Sequence, residues 1–364
     1  MAVGRTLAFI LFCILVTAMV VIGVVHQPER SQEERISSGA SPRPGETVAS
    51  PRAQQAGGRR RRNVTFRQIA SIGGVGEAPL TMPLHARIDA SECVYILDWS
   101  DRCVKKFGPA GEFLVRFGSG EGSAPGKFAS LSDFDIAPDG SLWACDPVNG
   151  RITIFGQDGS VRGTMRPERP PHRIVLINGG VYAVMSSPVG SRLFRLHGPG
   201  GQQIAECGVL MEQQERLGIA LDGRIAATGT GGFAYAAYRA GVLAVTTDAG
   251  DSIAVYRQTL EHGGLPDVLV SRSGEAEFAR TDPDIPVVTR SISCVDGELH
   301  LLAGADDRSL SGVMDVYDAR SGSYSYSYDL PVDAVAACAT RTRLAAVSET
   351  AVTVWERCVA SRGL

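Results

Sequence analysis

Ile136-Ala137-Pro138-Asp139-Gly140-Ser141-Leu142-Trp143-Ala144-Cys145-Asp146, followed by Arg151-Ile152-Thr153-Ile154-Phe155 and Gly159, repeats at a distance of 48 residues a stretch that precedes it. The earlier copy reads Ile88-Asp89-Ala90-Ser91-Glu92-Cys93-Val94-Tyr95-Ile96-Leu97-Asp98, then Cys103-Val104-Lys105-Lys106-Phe107 and Gly111. Ile88/Ile136, Tyr95/Trp143, Asp98/Asp146, Phe107/Phe155 and Gly111/Gly159 coincide at that one spacing. Short alternating strands recurring with a period in the forties are the signature of propeller blades. A third copy follows at an offset of 39, with Tyr182, Phe194 and Gly198 in place of Trp143, Phe155 and Gly159, and Met185 where the aspartate would stand.

Working outward, blade one runs from Leu84 to Phe117 and blade two from Ser132 to about Thr164. The weakest match is blade four, at Phe233–Tyr238, Val242–Val245 and Ser252–Tyr256. Blade five is clear again in Ser291–Val295, Glu298–Leu302, Val313–Tyr317 and Tyr324–Leu330. Blade six gives Ala334–Cys338, Leu344–Val347 and Val352–Trp355, and the chain then ends one strand short. Phe66–Gly74 precedes blade one as Phe113–Ser119 precedes blade two, so residues 65–73 are expected to supply the outer strand of the last blade and close the ring. The reading is an all-β, six-bladed β-propeller of four-stranded antiparallel blades over residues 64–358. Seven blades is the competitor, because 259–288 stays unassigned.

The first 63 residues read differently. They carry nine Arg against four Glu, a charge of +5, which leaves the other 301 residues at −8 with three Lys. An acidic globular part of that kind is a poor nucleic-acid binder, and nucleic acid is set aside as a partner. Leu7–Val25 holds 19 residues without a charge, long enough to cross a bilayer as one helix. No small-residue cleavage site closes the run, so residues 1–25 are expected to form an uncleaved anchor, with a cleaved signal as the alternative. The short leader favours an N-terminus in the cytoplasm and a propeller on the periplasmic or extracellular side. Residues 26–63, rich in Ser, Pro, Gln, Gly and Arg, read as a disordered tether ending in Arg59-Arg60-Arg61-Arg62. That run suits lipid headgroups or a protease, or simply a solvated linker.

Pro125-Gly126-Lys127-Phe128, Asp139–Asp146, Asn149-Gly150-Arg151-Ile152 and Phe155 with Gly159 resemble an NHL repeat. The resemblance is specific in blades one and two, fair in three and five, and poor in four and six. It implies a six-bladed propeller of a family that includes non-enzymatic binding modules, calcium-dependent lactonases and zinc lyases that release amidated peptides. Fold alone does not choose among these. Asp98 and Asp146 match the repeat's aspartate and are expected to bond the turn after their strand.

Chemistry-bearing residues are few. The six His are scattered, no Gly-x-Ser-x-Gly elbow occurs, and Gly118–Gly122 is not followed by a helix. Seven Cys lie in the propeller part without a Cys-x-x-Cys pair. Cys294 and Cys338 occupy matching inner-strand positions, where a disulfide between neighbouring blades is conceivable. Counting back from the blade aromatics places His85, Asp133, His172 and Arg290 on successive inner strands at the channel mouth, and the loop of blade five adds Asp306 and Asp307. Two imidazoles and a carboxylate (His85, Asp133, His172) have the composition of a metal shell with an open position, so zinc or calcium are the candidate cofactors if there is one. The function expected is a membrane-anchored propeller that binds a small molecule or protein at that mouth without catalysis. The alternative is a metal-dependent lyase or hydrolase, amidating-lyase-like or lactonase-like, using the same rim.

Overall fold

A computed structural model describes residues 33–36, 51–54, 58–74, 78–186, 190–211, 214, 218–261, 265–273, 276–281, 285–304 and 311–359. The expected anchor at 7–25, Asp306 and Asp307 lie outside the described residues. Among those described, no helix is long and apolar enough to cross a membrane.

Six four-stranded antiparallel sheets follow one another along the chain. Their inner strands are Pro83–Ile88, Asp133–Ile136, Pro171–Leu176, Gly223–Ala227, Thr289–Val295 and Ala336–Ala339. The second strand of a blade is apolar on both faces because it lies between two neighbouring blades; Val94–Asp98, Tyr182–Ser186 and Phe233–Ala237 are buried throughout. Outer strands such as Phe113–Phe117 alternate between half-buried and exposed up to the buried Phe117. The core accordingly divides into six apolar clusters, one at each junction between blades. At the junction of blades one and two, Tyr95 stacks on Phe117 and Phe117 meets Phe155 edge-on. The ring is six-bladed, as the repeat spacing indicates.

Closure is made by the strand Val64–Gly73, which pairs with Ala351–Val359 from Val64↔Val359 to Gly73↔Ala351. Blade six therefore takes its outer strand from a segment that precedes blade one in the chain. The repeat glycines have a physical explanation in the same rim. Gly159 sits at φ +80°, and a Cβ there would come within 2.6 Å of the Arg116 carbonyl oxygen on the preceding blade. Gly111 at φ +91° similarly faces Ala70 of the closing strand. Each blade's outermost turn is pressed against its neighbour, and only glycine fits.

Two features depart from the sequence reading. The unassigned stretch contains a hairpin, Val268–Ser273 with Ala276–Thr281, extended to three strands by Glu33–Ile36. It forms a sheet of its own, packed on the ring through Val268 and Val270, which enter the cluster between blades three and four. The residues 51–54 and 58–62 of the expected tether lie along the rim. Arg52 bridges Arg257 of blade four, while Arg60 to Arg62 run parallel to the outer strand of blade five. There Arg62 donates its amide to Ser327 (2.8 Å), and Ser327 donates to Arg60 (2.9 Å). The four arginines are occupied by protein: Arg59 by Asp315 and Glu261, Arg60 by Tyr324, Arg61 by Asp329 and Arg62 by the ring of Tyr326.

Candidate functional site

The hairpin turns that end the inner strands give the register around the channel. Asp89 bonds Cys93, Ala137 bonds Ser141, Ile177 bonds Val181 and Thr228 bonds Gly232 in the same way. Counting back four from each first residue places His85, Asp133, Arg173 and Arg224 at one level; two back gives Arg87, Asp135, Val175 and Ala226. Blade five contributes Ser291 and Ser293, recognised by what they bond. Their hydroxyls accept the amides of Ala337 (3.1 Å) and Ala339 (3.2 Å) on the next blade. Asp133 and Asp135 accept those of Ile174 (3.2 Å) and Leu176 (2.7 Å) in the same way. Side chains at these levels thus stitch one inner strand to the next, satisfying backbone groups that face the channel.

His172 and Arg290 fall one residue short of this level. Both sit at β-bulges, where pairing skips from Pro171 to Arg173 and from Thr289 to Ser291, as it does at Leu84 of blade one. For His172 the physical reason is a displaced aromatic. Tyr182 pairs with Leu176, one step nearer its turn than Trp143, which pairs with Asp135. The two rings consequently face each other across the junction of blades two and three, 5.2 Å apart. Alternation likewise separates the two cysteines: Cys294 reaches Thr228 of blade four, Cys338 lies beside Arg87 of blade one, and both are free thiols.

What gathers at the mouth is a buried ionic cluster drawn from blades one to four. Asp133 lies 3.4 Å from Arg224, 3.9 Å from Arg87 and 3.9 Å from His85. Asp135 lies 3.3 Å from Arg87, and Asp222 lies 3.2 Å from Arg173 and 3.3 Å from His172. At these two levels blades five and six present Ser291, Ser293, Ala336 and Cys338, which are small and neutral, opposite the charged residues of blades one to four. His85 and Asp133 are neighbours, but His172 turns to Asp222, and among the described residues no three His, Cys, Asp or Glu gather to hold a metal. Arg87, Asp135, Arg173, Asp222 and Arg224 escaped the sequence reading. Their signal was there: His85-Ala86-Arg87 and Asp133-Phe134-Asp135 place charges two apart on strands that should be apolar.

Burial dominates the electrostatics. It pushes the His85 imidazolium well below its ordinary range, and Arg224, Arg87 and Arg173 push it further. His172 is lowered by burial and by Arg173, against the pull of Asp222. Burial opposes the charge of Asp222, yet Arg173, His172 and Arg224 hold its carboxyl down to about 2. Asp135 is raised by burial despite Arg87. Both imidazoles are therefore neutral at pH 7 amid three guanidiniums and three carboxylates.

The repeat aspartates do structural work nearby. Asp98 accepts the amides of Thr81 and Met82 at 2.9 Å each and holds Lys105 at 2.8 Å. Asp146 accepts from Ala129 (2.9 Å), Ser130 (3.1 Å) and the Asn149 amide (3.0 Å). Asp146 thus reaches the following turn, whereas Asp98 reaches past its turn to Lys105 on the next strand. Both aspartates also tie down the loop that leads into their own blade, a contact the repeat pattern had not suggested.

Comparison with known proteins supports the architecture and goes no further. No family model and no curated protein matches the sequence. Among solved structures, a protein described as exported, from Bacteroides fragilis, matches over 86% of this chain and 100% of its own at 10% identity and a TM-score of 0.55. A streptogramin B lyase matches over 81% and 98% at 10% identity and 0.51. A virginiamycin B lyase from Staphylococcus aureus matches over 81% and 99% at 11% identity and 0.49. At such identities the likeness is one of fold, an all-β propeller.

Proposed function

We propose that this chain is a membrane-anchored, extracytoplasmic propeller that binds a ligand, or a group on a partner protein, at the channel mouth and does not transform it. One observation carries the reading: His85 is 5% exposed, and among the described residues neither of its ring nitrogens has a hydrogen-bond partner. A buried polar group left in that condition is costly, which favours a site completed from outside. The apolar run at 7–25 supports the anchor and the extracytoplasmic location. The lyase or hydrolase reading has less support, because His85, Asp133 and His172 do not converge.

The test is a thermal-shift screen of the full-length chain against small polar metabolites. Each stabilising compound is then incubated with the protein and recovered for mass spectrometry. Recovery unchanged supports a binding module. Conversion to product, or stoichiometric zinc or calcium retained after dialysis, overturns it.

A further inference from the structure

The polar side chains of the mouth are unequally occupied. Each carboxylate is committed to backbone: Asp133 to Ile174, Asp135 to Leu176 and Ile136, Asp222 to Gly223. Two of the guanidiniums are committed as well, Arg87 through Nε to the Phe134 carbonyl (2.7 Å) and Arg173 through Nε to that of Gly223 (3.0 Å). Arg224 is different. Among the described residues it bonds no backbone group, its Nε is buried without an acceptor, and its one hydrogen bond crosses the channel from blade four to Asp133 of blade two at 3.4 Å. His85, from blade one, approaches the same Asp133 oxygen at 3.9 Å. Around this oxygen the unsatisfied buried atoms are all nitrogens: both of His85, Nε of Arg224 and, one blade over, Nδ1 of His172. No carboxylate oxygen of the cluster is unsatisfied. A surplus of donors calls for an acceptor, and a group bearing two acceptor oxygens in one plane suits a guanidinium edge beside an imidazole.

Resting on the reading of the mouth as a ligand site, we propose that His85 and Arg224 are the two jaws of a carboxylate-binding site. The acid's oxygens take the Arg224 Nε–H and the ring N–H of His85. The remainder of the ligand extends over the small, neutral side made by Ser291, Ser293, Ala336 and Cys338. Arg87 and Arg173 add favourable potential from their fixed positions, and Asp133 orients both jaws rather than binding ligand. Because an added negative charge opposes the arginines that depress His85, occupation favours its protonated form. Arg87 on its own strand, Asp133 of blade two, Arg173 of blade three and Arg224 of blade four are the charges that face it.

The full-length chain labelled with 15N-histidine is titrated with acetate, with its neutral isostere acetamide, and with inorganic phosphate, following the imidazole nitrogens of His85. Acetate should move these signals saturably towards the imidazolium position while acetamide leaves them in place. Arg224→Gln should weaken the acetate response about ten- to a hundredfold, the worth of a charge-assisted hydrogen bond. Arg224→Lys, which keeps the charge and loses the Nε–H, should weaken it too, which guards against misreading a Gln variant that folds poorly. Equal responses to acetate and acetamide, or a tighter response to phosphate, would overturn the carboxylate assignment and leave the mouth a ligand site of another kind. No response of His85 to any of the three, alongside screening hits that bind undisturbed by Arg224→Gln, would remove the site altogether.

Discussion

His300 offers a quantitative check on how tightly this ring excludes water. It lies in the second strand of blade five, fully buried, with Nδ1 3.1 Å from the Tyr328 hydroxyl. Burial, aided by Arg357, lowers its pKa from the ordinary 6.5 to about 3. An unfolded chain protonates this ring as the pH drops through 6.5, whereas the folded chain holds it neutral until about 3. The unfolded state therefore binds more protons across that window, and stability falls as the solution is acidified. Between pH 7 and pH 5 this single group should cost about 2 kcal/mol, at 1.36 kcal/mol per unit of separation. The assay is urea unfolding at the two pH values for the natural chain and for His300→Gln, which cannot titrate. The variant should be less stable at pH 7 but lose about 2 kcal/mol less on acidification. An equal loss in both proteins would mean that water or a proton reaches His300 in the folded ring, and the inference of a dry blade junction would fail.

Two further outcomes follow from the rim. Gly159→Ala should destabilise by about 2–4 kcal/mol, combining a left-handed backbone with the 2.6 Å approach to Arg116, while Gly150→Ala, also at positive φ but in open space, should cost about 1 kcal/mol; chemical denaturation separates them. Arg59→Ala should free the arginine run from blade five, because it removes the counter-charge of the 4%-exposed Asp315 side chain and leaves it only the Ser327 hydroxyl, and trypsin should then cut at Arg60 to Arg62 about tenfold faster.

The blades were legible where side chains repeat because geometry repeats. Gly111 and Gly159 mark turns that only glycine fits, and Asp98 and Asp146 mark the loops they tie down. Blade four was faint because its second strand, Phe233–Ala237, ends in Ala237 where those of blades one and two end in Asp98 and Asp146, so the marker side chain is missing. The closing strand could be read because Phe66–Gly74 keeps the pattern of an outer strand. The channel was read one residue out at His172 because Tyr182 lies one step nearer its turn than Trp143, which shifts any count taken from the aromatics. The seating of Arg59–Arg62 was beyond local reading, as its partners Glu261, Asp315, Tyr324, Tyr326 and Asp329 lie some two hundred residues or more away. The same holds for Arg224 and Asp133, which meet only when the ring exists.

The pairing of Thr65 with Cys358, 293 positions apart, also sets an order of events. The first rim strand to emerge during synthesis is the last to find its place, and it stays single until nearly the whole chain has been made. For that interval two bare sheet edges, one at each end of the polypeptide, must be kept from foreign strands. A chain anchored at its N-terminus would hold one of those edges near the membrane while the other is delivered to it, so the search that completes the ring takes place within a single tethered molecule.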